Sequence, residues 1–218
     1  MAAGSRHYKL ERNHKRGVME TVRFVATNIF LCIAIFSCSQ NVTRLSDEEK
    51  KWNPYENGDR LVFESSTFEN DTIYIKEVEF VFPDGIGVVD YNQSLRVLAE
   101  HTDPQNENRV WETFTLILAA KTQKKSSYAI FDLRAKNAQF MPQRFSFDVL
   151  NKLKEIKLSV PYGEFSDVIR LVNNEDYSNI PTAIEIIFWS KNKGYIRFDK
   201  YDGTSWRLIE IIKTKKID

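Results

Sequence analysis

The sequence predicts an all-β fold: about ten antiparallel strands in one curled sheet, a half-barrel or a barrel, with one or two short helices and an N-terminal signal helix. Three observations predict it. After Trp52, apolar residues alternate with polar ones or run for 4–10 positions, and Gly, Asn, Asp and Pro separate the runs. Asn192-Lys193-Gly194 and Asp202-Gly203-Thr204 stand between such runs as hairpin turns. Helical spacing occupies only one short stretch near Phe147. A sheet of that size curls instead of lying flat.

The elements follow in order. Asn57-Gly58-Asp59 leads into a strand at Leu61-Val62-Phe63. Thr72 to Phe82 is a long strand closed by Pro83-Asp84-Gly85, and Ile86 to Asp90 follows. Leu95, Val97 and Ala99 alternate with Arg96 and Glu100, which predicts a strand with one buried face. Val110 to Ala119 is the strongest run, and a polar turn at Gln123–Ser126 precedes Tyr128 to Leu133. Between Pro142 and Glu155 the period drifts from 2 toward 3.6, which predicts a short helix at Phe147–Lys154. Lys157–Val160, Val168–Val172, Ile184–Trp189, Tyr195–Tyr201 and Arg207–Ile212 complete the strands.

The N-terminus reads differently. Arg6, Lys9, Arg12, Lys15, Arg16 and Arg23 precede an uncharged, mostly apolar run of thirteen residues, Phe24 to Phe36. A basic region, an apolar stretch and a small residue make a secretory signal. The run is shorter than the roughly 20 residues that span a bilayer. Ile35-Phe36-Ser37-Cys38 resembles the lipobox of bacterial envelope lipoproteins, with Phe36 a departure from the small residue usual there. The resemblance implies that residues 1–37 are a signal peptide and that Cys38 is lipidated. It also implies attachment to a membrane in the cell envelope, facing the periplasm. Residues 38–51 then read as a polar tether and 52–218 as the β domain. Ser46 and Glu49 stand at capping-box spacing within the tether.

Composition narrows the chemistry. Beyond residue 37 there remain 181 residues with 25 basic and 28 acidic side chains, a net charge of −3. Nucleic acid is not an expected partner at that balance. Cys38 and His101 are the sole cysteine and the sole histidine of that part. An internal disulfide is excluded, and multi-His or Cys-rich metal sites with it. No cofactor motif is present: Asp84-Gly85-Ile86-Gly87 has no helix after it and is not a phosphate loop.

A second resemblance lies in the C-terminal third. Val160-Pro161-Tyr162-Gly163-Glu164-Phe165-Ser166-Asp167-Val168-Ile169, with the later Gly194 and Asp202-Gly203 hairpins, resembles secreted bacterial β-proteins. The half-open barrel of periplasmic lipoprotein carriers is the architecture it implies. Trp52-Asn53-Pro54-Tyr55, Gly58-Asp59 and Phe63-Glu64-Ser65 resemble the opening of small envelope lipoproteins.

No side chains form a catalytic motif. His101 follows a strand and has no nucleophile motif beside it, so it is expected in a surface loop. Asp59, Asp71 and Asp84 are expected as turn residues. Lys121, Lys124 and Lys125 are expected at a solvated hairpin tip. Trp52, Trp111, Trp189 and Trp206 are expected mostly to fill the core, with an aromatic-lined pocket as the alternative. The sequence thus points to a non-catalytic, membrane-anchored lipoprotein presenting a β domain to an apolar ligand or an envelope protein. The alternatives are an envelope hydrolase acting on glycans through a carboxylate pair, and an assembly component of an envelope complex.

Overall fold

The computed structural model describes residues 42–82, 92–103 and 106–214. Cys38, the expected signal peptide and the expected strand Ile86–Asp90 lie outside these. Among the described residues the strands are β1 Arg60–Ser65, β2 Asn70–Val81, β3 Ser94–Asp103, β4 Asn106–Ala119, β5 Tyr128–Ala135 and β6 Ala138–Ser146. β7 Ile156–Val160, β8 Gly163–Val172, β9 Ile184–Ser190, β10 Gly194–Lys200 and β11 Ser205–Ile212 complete them. Two short helices accompany them, α1 Asp47–Lys50 and α2 Phe147–Leu150.

All eleven strands form one antiparallel sheet in the order β6-β5-β4-β3-β2-β1-β11-β10-β9-β8-β7. The chain meanders outward from β1 to β6, crosses to the far edge, and meanders back to lay β11 against β1. The crossing explains the curl. Flat, eleven strands about 4.8 Å apart would separate the two edges by about 48 Å. Only ten steps join Ser146 to Ile156, a reach of about 36 Å at full stretch. The sheet therefore bends into a half-barrel. Edge strand β6 meets the segment before β9, where Gln139 N donates to Thr182 O at 2.7 Å.

The expected strands that fall among the described residues are present, most with an end extended, and β6 is an addition. Its Pro142 argues against a central strand, but at an edge a missing N–H costs no ladder bond. Pairing shifts between Phe131 and Leu133 opposite it, which blurs the period-2 pattern. The expected helix shrinks to Phe147–Leu150, capped by Ser146, whose hydroxyl accepts from Val149 N at 3.3 Å.

Large side chains fill the concave face. Trp189 lies 4.8 Å from Tyr195, 5.0 Å from Phe131 and 5.8 Å from Tyr55, all edge-on. Phe63, Phe198 and Trp206 extend the stack along β1, β10 and β11. The chain before β1 straps across this face. Thr43 pairs with Asn92, Leu45 is buried, and α1 carries the capping box expected at Ser46 and Glu49. Trp52 then packs on Phe147. The Tyr55 hydroxyl accepts from Tyr195 N at 2.9 Å. It comes so close to Gly194 that a Cβ there would sit 1.9 Å from it. Gly194 also has φ +84°, so the hairpin turn and the close approach both require glycine. Within the stretch expected as tether, Thr43 and Leu45 are thus tied to the sheet, while Ser46 to Lys51 stay largely exposed.

Candidate functional site

The residues singled out in the sequence scatter. His101 is buried on the concave side of β3, 2% exposed, and not in a surface loop. The sequence carried the signal: Leu95, Val97, Ala99 and His101 share one parity, so a strand two residues longer turns the imidazole inward. Asp59 is a turn carboxylate, but a buried one, accepting from Glu56 N at 2.9 Å and from Lys213 Nζ at 2.6 Å. Asp71 lies within β2 instead of a turn and accepts from Lys136 N at 2.6 Å. Asp84 and Cys38 fall outside the described residues. Lys121, Lys124 and Lys125 are exposed between β4 and β5. Trp52, Trp189 and Trp206 are core residues, while Trp111 is half-buried beneath Arg109 and Arg134.

The sequence did not reveal a buried polar cluster where β4 and β5 stop pairing, beyond Leu116 and Phe131. Asp132 lies there, 5% exposed. Its carboxylate accepts from Thr113 Oγ1 at 3.1 Å and from Arg134 Nε at 3.3 Å. Thr115 Oγ1 donates to the Asp132 carbonyl at 2.6 Å, and the Tyr195 hydroxyl donates to the Thr115 carbonyl at 2.8 Å. Burial pushes the Asp132 carboxyl above its ordinary value, while Arg134, Thr113 and His101 pull it back. Burial also raises the Tyr55 and Tyr195 phenols. In a glycosidase, two facing carboxyls raise one another. The rise at Asp132 comes from desolvation instead, so its shift is no sign of a carboxylate pair. Its ties join strands that no longer pair, which is structural work.

The outer face differs. Bulges at Thr115 and after Ile75 let the strands bend, and the residues of opposite parity form a groove of about 420 Å³ across β2 to β5. Phe114, Ile117, Tyr128 and Ile130 supply its apolar surface, and Val81, Asn92 and Ser94 its end. The Arg96 guanidinium lies 5.5 Å from the Phe114 ring centre, and that of Arg144 lies 4.0 Å from the Tyr128 ring. Each such pair keeps a cation over an aromatic face at the surface. A hollow of about 510 Å³ along β7 and β8 has fewer apolar walls, chiefly Leu158 and Phe165. The outer groove is therefore the candidate site: exposed, apolar at its base, and flanked by donors that suit carbonyl or carboxylate groups.

No family model, no curated protein and no solved structure matches the chain.

Proposed function

We propose that this chain is a bacterial envelope lipoprotein, held to a membrane through lipid on Cys38, that acts without catalysis by presenting its β domain to a protein partner. Cys38 carries the anchoring half: it follows a basic stretch, a short apolar run and a small residue. A diacylglyceryl thioether and an acylated amine on one residue give the several chains that stable anchoring needs.

The filled concave face carries the other half. Trp189, Tyr195, Phe131 and Tyr55 occupy the space that a lipid carrier would leave open, which favours a protein partner over an enclosed apolar ligand. The outer groove offers aromatic and arginine side chains, the types enriched at protein interfaces. The envelope, on its periplasmic side, is the setting the lipobox implies.

Metabolic labelling with an alkyne fatty acid tests the anchor. Wild type is expected to take up label, and Cys38→Ser to lose both label and membrane retention. Absence of label from wild type, or its persistence in Cys38→Ser, overturns the reading.

A further inference from the structure

Val81, Ser94, Ala119, Tyr128 and Ser146 face one another in register across five strands, so they mark one end of the half-barrel. The N-terminal strap joins the sheet at this end: Gln93 N donates to Thr43 O at 2.8 Å, and Leu45 N donates to the Gln93 side chain at 3.0 Å. Exposed apolar side chains gather there. Phe80 is 50% exposed, Phe82 40%, Val42 40% and Val149 49%. The helix bearing Val149 is tied to the same end by Phe147 N donating to Ser127 O. Lys121, Lys124 and Lys125 project from the turn between β4 and β5, directly after Ala119.

Among the described residues, the acidic groups near this end are Glu79 of β2, which faces Arg96 in register, Asp148, and those of α1. Asp148 is exposed on α2. Asp47 and Glu48 of α1 are engaged by Lys50 and Lys51, at 3.0 and 2.6 Å, and Glu49 is engaged by the Ser46 cap. At the opposite end of β2, Glu69 pairs with Lys136 at 3.5 Å, and Phe68 and Val110 are exposed apolar residues.

We infer that this end of the half-barrel is a second membrane contact, docking on the anionic face of a phospholipid bilayer. Apolar side chains among lysines match an interface that is negative at its surface and apolar just below. The length of chain before the domain selects this occupant. Five steps separate Cys38 from Thr43, a reach of about 18 Å at most. A lipid on Cys38 therefore holds this end, and no other, beside the bilayer. The inference rests on the proposed lipidation for its geometry, and on Phe80, Phe82 and the lysines for its chemistry.

Amide hydrogen exchange on the full protein tests it, in phosphatidylethanolamine–phosphatidylglycerol vesicles and in phosphatidylcholine vesicles. Slower exchange is expected at residues 79–82 and 119–127 in the anionic vesicles alone, with residues 66–70 unchanged. Each lysine neutralised to Gln is expected to lower the docking equilibrium constant about fivefold, the effect of one basic residue near an anionic surface. Phe82→Ser is expected to weaken protection without changing its dependence on lipid charge. Equal exchange in both vesicles, or protection indifferent to Lys121→Glu, Lys124→Glu and Lys125→Glu together, overturns the inference. Intact mass of the same sample reads the anchor separately. Lipid on Cys38 without protection removes this contact alone. Protection without lipid keeps the contact and removes the anchor.

Discussion

The two faces of the sheet are built from the same strands and both carry aromatic rings, yet they use them in opposite ways. On the concave face Trp189, Tyr195 and Phe131 touch one another edge to face and exclude water. On the outer face Phe114 and Tyr128 have no such ring partner among the described residues and lie under Arg96 and Arg144 instead. Ring against ring secures the fold, and ring under guanidinium leaves surface for something else. An aromatic residue count therefore says nothing of function until the face is known.

The contrast is easiest to break at its centre. Trp189→Ala removes a buried indole that touches three other rings, and is expected to cost about 3–5 kcal/mol. That is a large share of a typical domain stability of about 5–15 kcal/mol. Phe114→Ala, 36% exposed in the wild type, is expected to stay within about 1 kcal/mol. Urea midpoints of the two variants provide the check. Equal losses would mean that the outer ring is a core residue too and that the groove is structural.

The same contrast marks how far the sequence could be read. β9, β10 and β11 were legible because glycine turns flank apolar runs: Gly194 and Gly203 both have positive φ. β6 was not, because Pro142 and the shift opposite Leu133 break the local period, and only the edge position reconciles them. The tie of Leu45 to Gln93, 48 residues away, was not legible, because no local pattern encodes such a pairing. Of the candidate site, arginines and aromatics were visible as types. Which of them share a face depends on the bulge at Thr115, and a one-residue shift exchanges the faces.

Asp132 sharpens the contrast, since it sits where β4 and β5 separate, between dry and wet surroundings. Burial raises its folded carboxyl above the unfolded value. The neutral acid is therefore the form the fold favours. That contribution is complete below the unfolded value and is lost as pH rises through the folded one. Asp132→Asn stays neutral throughout. Between about pH 3 and 7, wild type is expected to lose stability relative to the Asn variant as pH rises. Parallel urea-midpoint profiles would place Asp132 on the wet side.

The smallest effect on stability is expected at Arg144, where the largest effect on binding is expected. Its side chain is exposed, and a cation over a ring at such a site contributes about 0.5–1 kcal/mol. Arg144→Ala is therefore expected to move the urea midpoint no more than that interaction does. Binding is another matter, because a partner covering Tyr128 would desolvate the guanidinium and strengthen each bond it makes. A photoreactive residue at Ser94, at the end of the groove, reads this in intact cells. One discrete adduct is expected with wild type, and its yield should fall in Arg144→Ala while protein level and fold persist. The same photoreactive residue at Phe68, on the β1–β2 turn at the far end of β2, should give no such adduct. An adduct that ignores Arg144, or that forms equally from position 68, would return the outer groove to the status of ordinary surface. The guanidiniums would then serve to shield the rings from water, and the two faces would differ only in how they hide their aromatic residues.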